Sequence, residues 1–247
     1  MLTRSEILRV RSLADKKGRT AEGLFVVEGC KMVAEAISSG FGVEAVYSTA
    51  DNADGFGQAR IVSPSEFGRL SRLKSPQGVL ALVRIPEYGP VVARPGELII
   101  ALDRLQDPGN LGTIIRTADW FGIRDVVCTP DTADCFNPKT VQATMGSLFR
   151  VKVHYTDMSG FLTAAARSQI PVYGADIDGV SIYEPGIRPE GVLVMGNEGG
   201  GISEACARFI SHRITIPRYP VGAGVTESLN VAVATAIIVS EFRRMAP

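Results

Sequence analysis

Apolar positions in this 247-residue chain recur with two periods that alternate along its length. Short runs of Val, Ile and Leu are separated by stretches where apolar residues return every three or four positions, which predicts strands alternating with amphipathic helices. In the first part of the chain the strands fall at Leu24–Val27, Val43–Tyr47 and Gly78–Val83. A helical pattern through Met32, Val33, Ala36 and Ile37 closes at Gly40, and Asp51–Gln58 reads as polar loop. Ser63-Pro64-Ser65-Glu66 reads as a helix start, with Ser63 as cap, proline in the first turn and Glu66 reaching back. Residues 2–22 mix six basic and three acidic side chains with Ile7, Leu8, Val10 and Leu13 on one face. That pattern fits a solvated amphipathic helix or a polyanion-binding arm equally.

The stretch Ile85–Gly96, with three prolines and two glycines, breaks the pattern and reads as a boundary between domains over 1–92 and 93–247. Beyond it the strands are more uniformly apolar: Leu98–Leu102, Asp125–Cys128, Arg150–His154, Val172–Ala175, Val192–Met195 and Arg213–Ile216. Helices are predicted at Leu111–Phe121, Lys139–Leu148, Ser159–Arg167 and Ile202–Phe209, with a last apolar helix opening at Glu227-Ser228-Leu229-Asn230. The fold class is α/β with a mainly parallel sheet covered on both faces, preceded by a small α/β domain. Ligands of such sheets gather beyond the carboxyl ends of the strands.

Composition narrows the chemistry. Lys and Arg total 26 against 26 Asp and Glu, so no overall basic charge announces nucleic-acid binding, although a local basic face is allowed. No apolar stretch is long enough to span a membrane and the N-terminus has no signal core, which places the protein in the cytoplasm. The four cysteines, at 30, 128, 135 and 206, are scattered and read as buried thiols, with neither metal-binding nor disulfide spacing. Two histidines, His154 and His212, leave little material for a histidine-based mechanism.

Three strand-to-helix loops carry polar residues that could share one pocket. The first, Asp103–Asn110, ends with Asn110 where a helix cap belongs and leads into a helix with Arg116 off its core stripe. The second, Gly196–Ser203, has four glycines that let backbone approach an adenosine-sized ligand, contains Glu198, and ends at Ser203 as a possible cap. The third, Pro217–Glu227, carries Gly222 and Gly224 and delivers Ser228 and Asn230 to a helix mouth. Each alone reads more readily as a turn.

These same segments carry a resemblance. NLGTIIRTADWFG, VLVMGNEGGGIS and IPRYPVGAGVTESLNVAVATAI resemble, in order, the three motifs of the SpoU/TrmH family of RNA 2'-O-ribose methyltransferases within the SPOUT superfamily. EGLFVVEGCKMVAEAI and LKSPQGVLALV resemble that family's small substrate-binding domain. One departure is Arg218 with a longer loop, Tyr219–Thr226, which bears on the cofactor contacts made there.

The resemblance implies a C-terminal trefoil knot, a homodimer and S-adenosyl-L-methionine as cofactor, with no metal. It implies cofactor contacts at Gly196, Asn197, Ile216, Pro217 and Leu229, and a catalytic set of Arg116, Asn110, Glu198, Ser228 and Asn230. Arg116 would orient the target phosphate and stabilise alkoxide charge, since a guanidinium stays protonated and is a poor general base. Arg4, Arg9, Arg11, Lys16 and Lys17 would grip RNA phosphates. The implied substrate is structured RNA, ribosomal before transfer RNA. The alternatives are a transfer RNA enzyme, a non-catalytic RNA-binding module of the same fold, and a nicotinamide-dependent oxidoreductase. The last lacks GxGxxG after its first strand.

Overall fold

The structure is a computed structural model describing residues 1–219 and 228–245. In chain order it contains α1 (Arg4–Ser12), α2 (Lys16–Glu22), β1 (Leu24–Glu28), α3 (Cys30–Ser38), β2 (Val43–Ser48), β3 (Arg60–Ile61), α4 (Pro64–Leu70) and β4 (Val79–Arg84). There follow β5 (Leu98–Leu102), α5 (Pro108–Trp120), β6 (Asp125–Cys128), α6 (Pro138–Thr144), β7 (Lys152–Tyr155) and α7 (Met158–Arg167). The last elements are β8 (Val172–Ser181), β9 (Gly191–Met195), α8 (Glu204–Ala207), β10 (His212–Thr215) and α9 (Val231–Arg244). Two compact units result: Met1–Glu87 with Asp134–Arg150, and Tyr88–Ala133 with Val151–Pro247.

In the first unit β4 lies between β1 and β2, antiparallel to both, and β3 joins β2 in parallel. Leu80 and Leu82 of β4 pack with Ile7, Val10 and Leu13 of the α1 side and with Phe67 and Leu70 of α4. Both capping boxes are formed, Thr3 with Glu6 and Ser63 with Glu66, satisfying amide groups that a helix start leaves open. The basic N-terminal stretch is two helices, because the chain turns at Leu13–Asp15 and α2 crosses close to the end of α1. A Cβ on Gly18 would stand 2.0 Å from the Ser12 carbonyl oxygen, so only glycine fits that crossing. Residues 134–150 pack within this unit. Phe136 lies 4.7 Å from Phe25 between ring centroids, and Phe149 meets Phe41 edge-on at 5.1 Å.

The second unit is built on a sheet whose described strands run in the order β10-β8-β9-β5-β6-β7, every pair parallel. β5, with sequence LIIAL, is buried at every position, as a central strand covered on both faces must be. One face packs Ile99, Ala101, Val127, Val192 and Val194 against Phe161, Leu162 and Ala165 of α7.

Several expectations change in detail. β8 runs on to Ser181 because β10 pairs with it in two registers, shifting between Arg213 and Ile214. α8 is a single turn rather than a helix over 202–209. α9 begins at Val231, later than the Glu227 start read from the sequence, because Asn230 takes the capping position. Cys30 is exposed, unlike the other three cysteines, so the reading of four buried thiols is wrong at that position. The loop glycines Gly222 and Gly224, and the path of the chain on which a knot would turn, lie outside the described residues. Among those described, no helix is long and apolar enough to cross a membrane, and no cluster of three metal-ligating side chains occurs.

Candidate active site

The loops after β5 and β9 leave the same carboxyl edge of the sheet from adjacent strands. β10 lies two strands beyond β9, roughly 10 Å across the sheet at the usual interstrand spacing. A hydrogen-bonded chain joins the three segments. Asn110 Nδ2 donates to Glu198 Oε1 at 3.1 Å, and Asn230 Nδ2 donates to Asn110 Oδ1 at 3.0 Å. Asn230 Oδ1 in turn accepts from the amides of Ala232 and Val233, at 3.0 and 3.3 Å, which caps α9.

Chemistry fixes the direction of this chain. The α9 amides can only donate, so Asn230 must turn its oxygen to them and its NH2 group outward. An ionised Glu198 can only accept, so Asn110 must turn its NH2 group to the carboxylate and its oxygen to Asn230. Both amides are thereby held in one orientation by their neighbours. Residues separated by 88 and 120 positions in sequence meet here.

Asn110 itself is not the helix cap that its place in the sequence suggested. α5 starts three residues before the expected Leu111, with Pro108 at its first position and Asp107 as the cap, whose Oδ1 accepts from the Asn110 amide at 2.8 Å. The Asn110 side chain is left available for Glu198 and Asn230. Ser203 occupies the capping position of α8, yet its side chain makes no capping bond.

Arg116 lies six residues further along α5, roughly 9 Å down the axis at the helical rise, and is exposed. Ser228 is also exposed and stands two residues before the network member Asn230. Neither enters the hydrogen-bonded chain.

A supporting layer beneath the network was not identified from sequence. Asp103, at the end of β5 and 1% exposed, accepts from the Ser203 amide at 2.6 Å. Arg104 has φ of 59°, a left-handed conformation uncommon outside glycine, and its carbonyl accepts from Asn197 Nδ2 at 2.8 Å. Its own amide donates to Thr129 Oγ1 at 2.9 Å, tying this turn to the strand-end segment after β6. A carboxylate immediately after an all-apolar strand was the available signal for Asp103, since it lies where such sheets bind ligands.

The glycines of the second loop serve the loop first. Asn197 and Gly201 exchange backbone hydrogen bonds at 3.0 and 2.9 Å, and Asn197 Oδ1 accepts from the Gly199 and Gly200 amides. A Cβ on Gly196 would lie 2.3 Å from the Gly201 carbonyl carbon, so glycine there permits the loop to fold back on itself. Ile216 is half-buried, Pro217 is exposed and Leu229 is 49% exposed. The carboxyl edge thus offers apolar side chains and turned backbone together, a surface suited to an adenosine-like molecule.

The basic residues picked out for RNA belong to the first unit and differ from one another. Arg9 is held between Glu22 at 2.6 Å and Glu44 at 2.8 Å. Arg4, Arg11, Lys16 and Lys17 are exposed and have no carboxylate partner among the described residues.

Residues 97–240 match the profile of the SpoU rRNA methylase family. The chain belongs to that family. Residues 4–81 also match the MRM3-like substrate binding domain. A curated relative is the 23S rRNA (guanosine(2553)-2'-O)-methyltransferase RlmP of Bacillus subtilis, 33% identical over 240 residues and covering 94% of each chain. Among solved structures, a TrmH-family protein from Porphyromonas gingivalis has 41% identity, a TM-score of 0.89 and full coverage of both chains. An AdoMet-bound rRNA methyltransferase from Sinorhizobium meliloti has 31% identity and a TM-score of 0.86, over 100% of this chain and 97% of that one. The similarity to these two structures spans both units of this chain.

Proposed function

We propose that this SpoU-family chain is an RNA 2'-O-ribose methyltransferase that uses S-adenosyl-L-methionine and acts on ribosomal RNA. The observation that carries the reading is the Glu198–Asn110–Asn230 chain, which ties the three motif loops together at the carboxyl edge of the sheet, on the helix that bears Arg116. The relatives supply the substrate class, since RlmP is a 23S rRNA enzyme and the Sinorhizobium structure contains AdoMet.

Bound at that edge, the cofactor supplies an electrophilic methyl group on a sulfonium centre. Main chain at Gly196, Ile216 and Leu229, with Asn197 and Pro217, would hold it. Arg116, exposed and permanently charged, binds the phosphate beside the target ribose and stabilises negative charge developing on the 2'-oxygen; the hydroxyl proton leaves to phosphate or water. Asn110, held in one orientation by Glu198 and Asn230, positions the ribose or the Arg116 side chain, and Ser228 completes the polar rim.

The first unit holds the RNA, through Arg4, Arg11, Lys16 and Lys17, with Arg9 contributing less because two carboxylates already neutralise it. The working form is a homodimer in the cytoplasm, with the threaded C-terminal knot of the family. Trp120 on α5, 84% exposed, and Val233 on α9, 50% exposed, are apolar positions that a second copy would cover.

The test is transfer of radiolabelled methyl to in-vitro 23S rRNA and transfer RNA transcripts, with calorimetry against S-adenosylmethionine and NAD. Ribose methylation of the ribosomal transcript and binding of S-adenosylmethionine alone are expected. An Arg116→Lys enzyme with near-normal turnover would overturn the role given to guanidinium geometry. NAD binding, or cofactor binding without transfer to either RNA, would overturn the activity.

A further inference from the structure

Glu28, at the end of β1, is 4% exposed and is the only buried carboxylate among the described residues of the first unit. No cation pairs with it there. Taking a carboxylate out of water without a counterion is costly, and burial pushes its pKa up, against hydrogen bonds from Ser71, Gln77 and Arg72 that pull it down.

Those bonds close a loop. The Ser71 hydroxyl donates to the carboxylate, 2.7 Å from Oε1 and 2.9 Å from Oε2, and the Gln77 amide donates to Oε1 at 3.3 Å. Both ends of the segment 71–77 are thus tied to one side chain. Adjacent contacts make the base firmer. Gly29, with φ of 109°, leaves room for Gln77 Oε1, which lies 2.3 Å from where a Cβ would stand, and the Thr49 amide donates to the Gly78 carbonyl at 2.8 Å.

The loop presents positive charge. From Phe67 to Pro86 the sequence has four basic residues and no acidic one. Arg84 is paired with Glu44, whereas Arg69, Arg72 and Lys74 are exposed with no carboxylate partner among the described residues. Arg69 also complements the carboxyl end of α4, but Arg72 and Lys74 lie beyond the helix and gain nothing from it. Arg72 Nη2 reaches the Arg11 carbonyl at 3.4 Å, so the loop adjoins the basic end of α1. With Val10 and Ala14, Arg72 and Leu73 line a shallow cleft that has Glu28 in its wall. Cations held by a fixed backbone lose less freedom on meeting a polyanion than cations on a free loop.

We propose that the 71–77 loop, with Arg69 in the last turn of α4, is a phosphate grip for the RNA backbone. Arg69, Arg72 and Lys74 make the contacts, and Glu28 is the positioning residue that fixes the loop. The inference rests on the methyltransferase reading above for its substrate and adds a binding surface to it.

The experiment compares wild type, the combined Arg69→Gln, Arg72→Gln and Lys74→Gln variant, Glu28→Gln, and all four changes together. Methyl transfer to a 23S rRNA transcript gives KM and kcat, and fluorescence binding of the same transcript gives the dependence on salt. The triple variant should raise KM about tenfold, leave kcat within about twofold and reduce the salt slope by about two, as expected for two to three lost phosphate contacts. Glu28→Gln should raise KM about threefold in wild type and leave it unchanged in the triple background, a coupling that general destabilisation would not produce. An unchanged KM and salt slope in the triple variant would overturn the grip. Equal effects of Glu28→Gln in both backgrounds would overturn its positioning role. Should Glu28→Gln fail to fold, the exposed-loop variant decides alone. A wild-type protein that binds the transcript but transfers no methyl refutes the activity while leaving the grip testable by salt slope.

Discussion

The two units dispose of charge in opposite ways. The first carries 14 basic against 11 acidic residues and the second 12 against 15, so the neutrality of the whole chain is the sum of two unlike halves. The first buries a guanidinium: Arg19 is 2% exposed, donates to the carbonyls of Leu13 and Ala14 at 2.8 Å, and meets Asp134 at 2.5 Å. The second keeps its sheet apolar and places a buried carboxylate, Asp103, at the strand ends where the loops converge. Charge in the first unit joins distant segments and leaves basic side chains exposed, while in the second it shapes a site.

If that contrast is right, Arg19→Ala should be the most damaging single change in the first unit. It strands Asp134 without its partner and leaves two carbonyls unsatisfied, at a cost of about 3–5 kcal/mol. Hydrogen exchange by mass spectrometry should show lost protection in peptides covering 1–28 and 134–150, with the peptide over β5 unchanged. Uniform loss across both units would break the comparison. The matching change in the second unit is Ile100→Ala, in the strand at the centre of the sheet. It removes a side chain with 0% exposure and should cost about 2–4 kcal/mol, this time with β5, β6 and β9 losing protection.

A smaller effect is expected at the site. Asn110→Ala breaks both side-chain links of the network, one of them to a carboxylate, and such bonds are worth about 1.5–3 kcal/mol. Turnover on the ribosomal transcript should fall between about tenfold and a hundredfold, with cofactor affinity nearly unchanged. Wild-type turnover would show that the first two loops, held by Asp103, Arg104 and Asn197, suffice without the links through Asn110.

How much of this was legible in the sequence follows the same division. The central strands β5 and β9 of the second unit announced themselves because burial on both faces demands near-continuous Val, Ile and Leu, as in LIIAL and GVLVM. The capping box of α4 was legible because Ser63 and Glu66 act within one turn. Motif order exposed Asn110, Glu198 and Asn230 as companions. What could not be read depended on partners distant in sequence. Asn110 looked like a cap until Asp107 proved to hold that place. The packing of 134–150 rests on Phe136 finding Phe25 of β1 and Phe149 finding Phe41 before β2, over intervals that no local pattern encodes. Arg19 looked like one more surface cation, and only its contact with Asp134 makes it structural.

The least of the expected effects is one of acidity, and it sharpens the comparison because two carboxylates of the first unit respond with opposite sign. Glu66 accepts from the amides of Leu2 and Ser63, which lowers its pKa from the ordinary 4.5 to about 2. Its contribution is therefore complete above pH 4.5 and is lost as pH falls through about 2. Glu28 has its pKa raised by burial, so its contribution is present below the ordinary carboxylate range and declines as pH rises through the raised value. Unfolding followed from pH 8 to pH 2 by exchange in the first unit should show both trends. Glu66→Gln should flatten only the acid side and Glu28→Gln only the upper side. The peptide over β5, whose residues carry no titratable side chain, should follow neither change. If Glu28→Gln instead flattened the acid side, as Glu66→Gln should, the carboxylate would be stabilised as an anion in the fold, and its burial would need a cation to explain it.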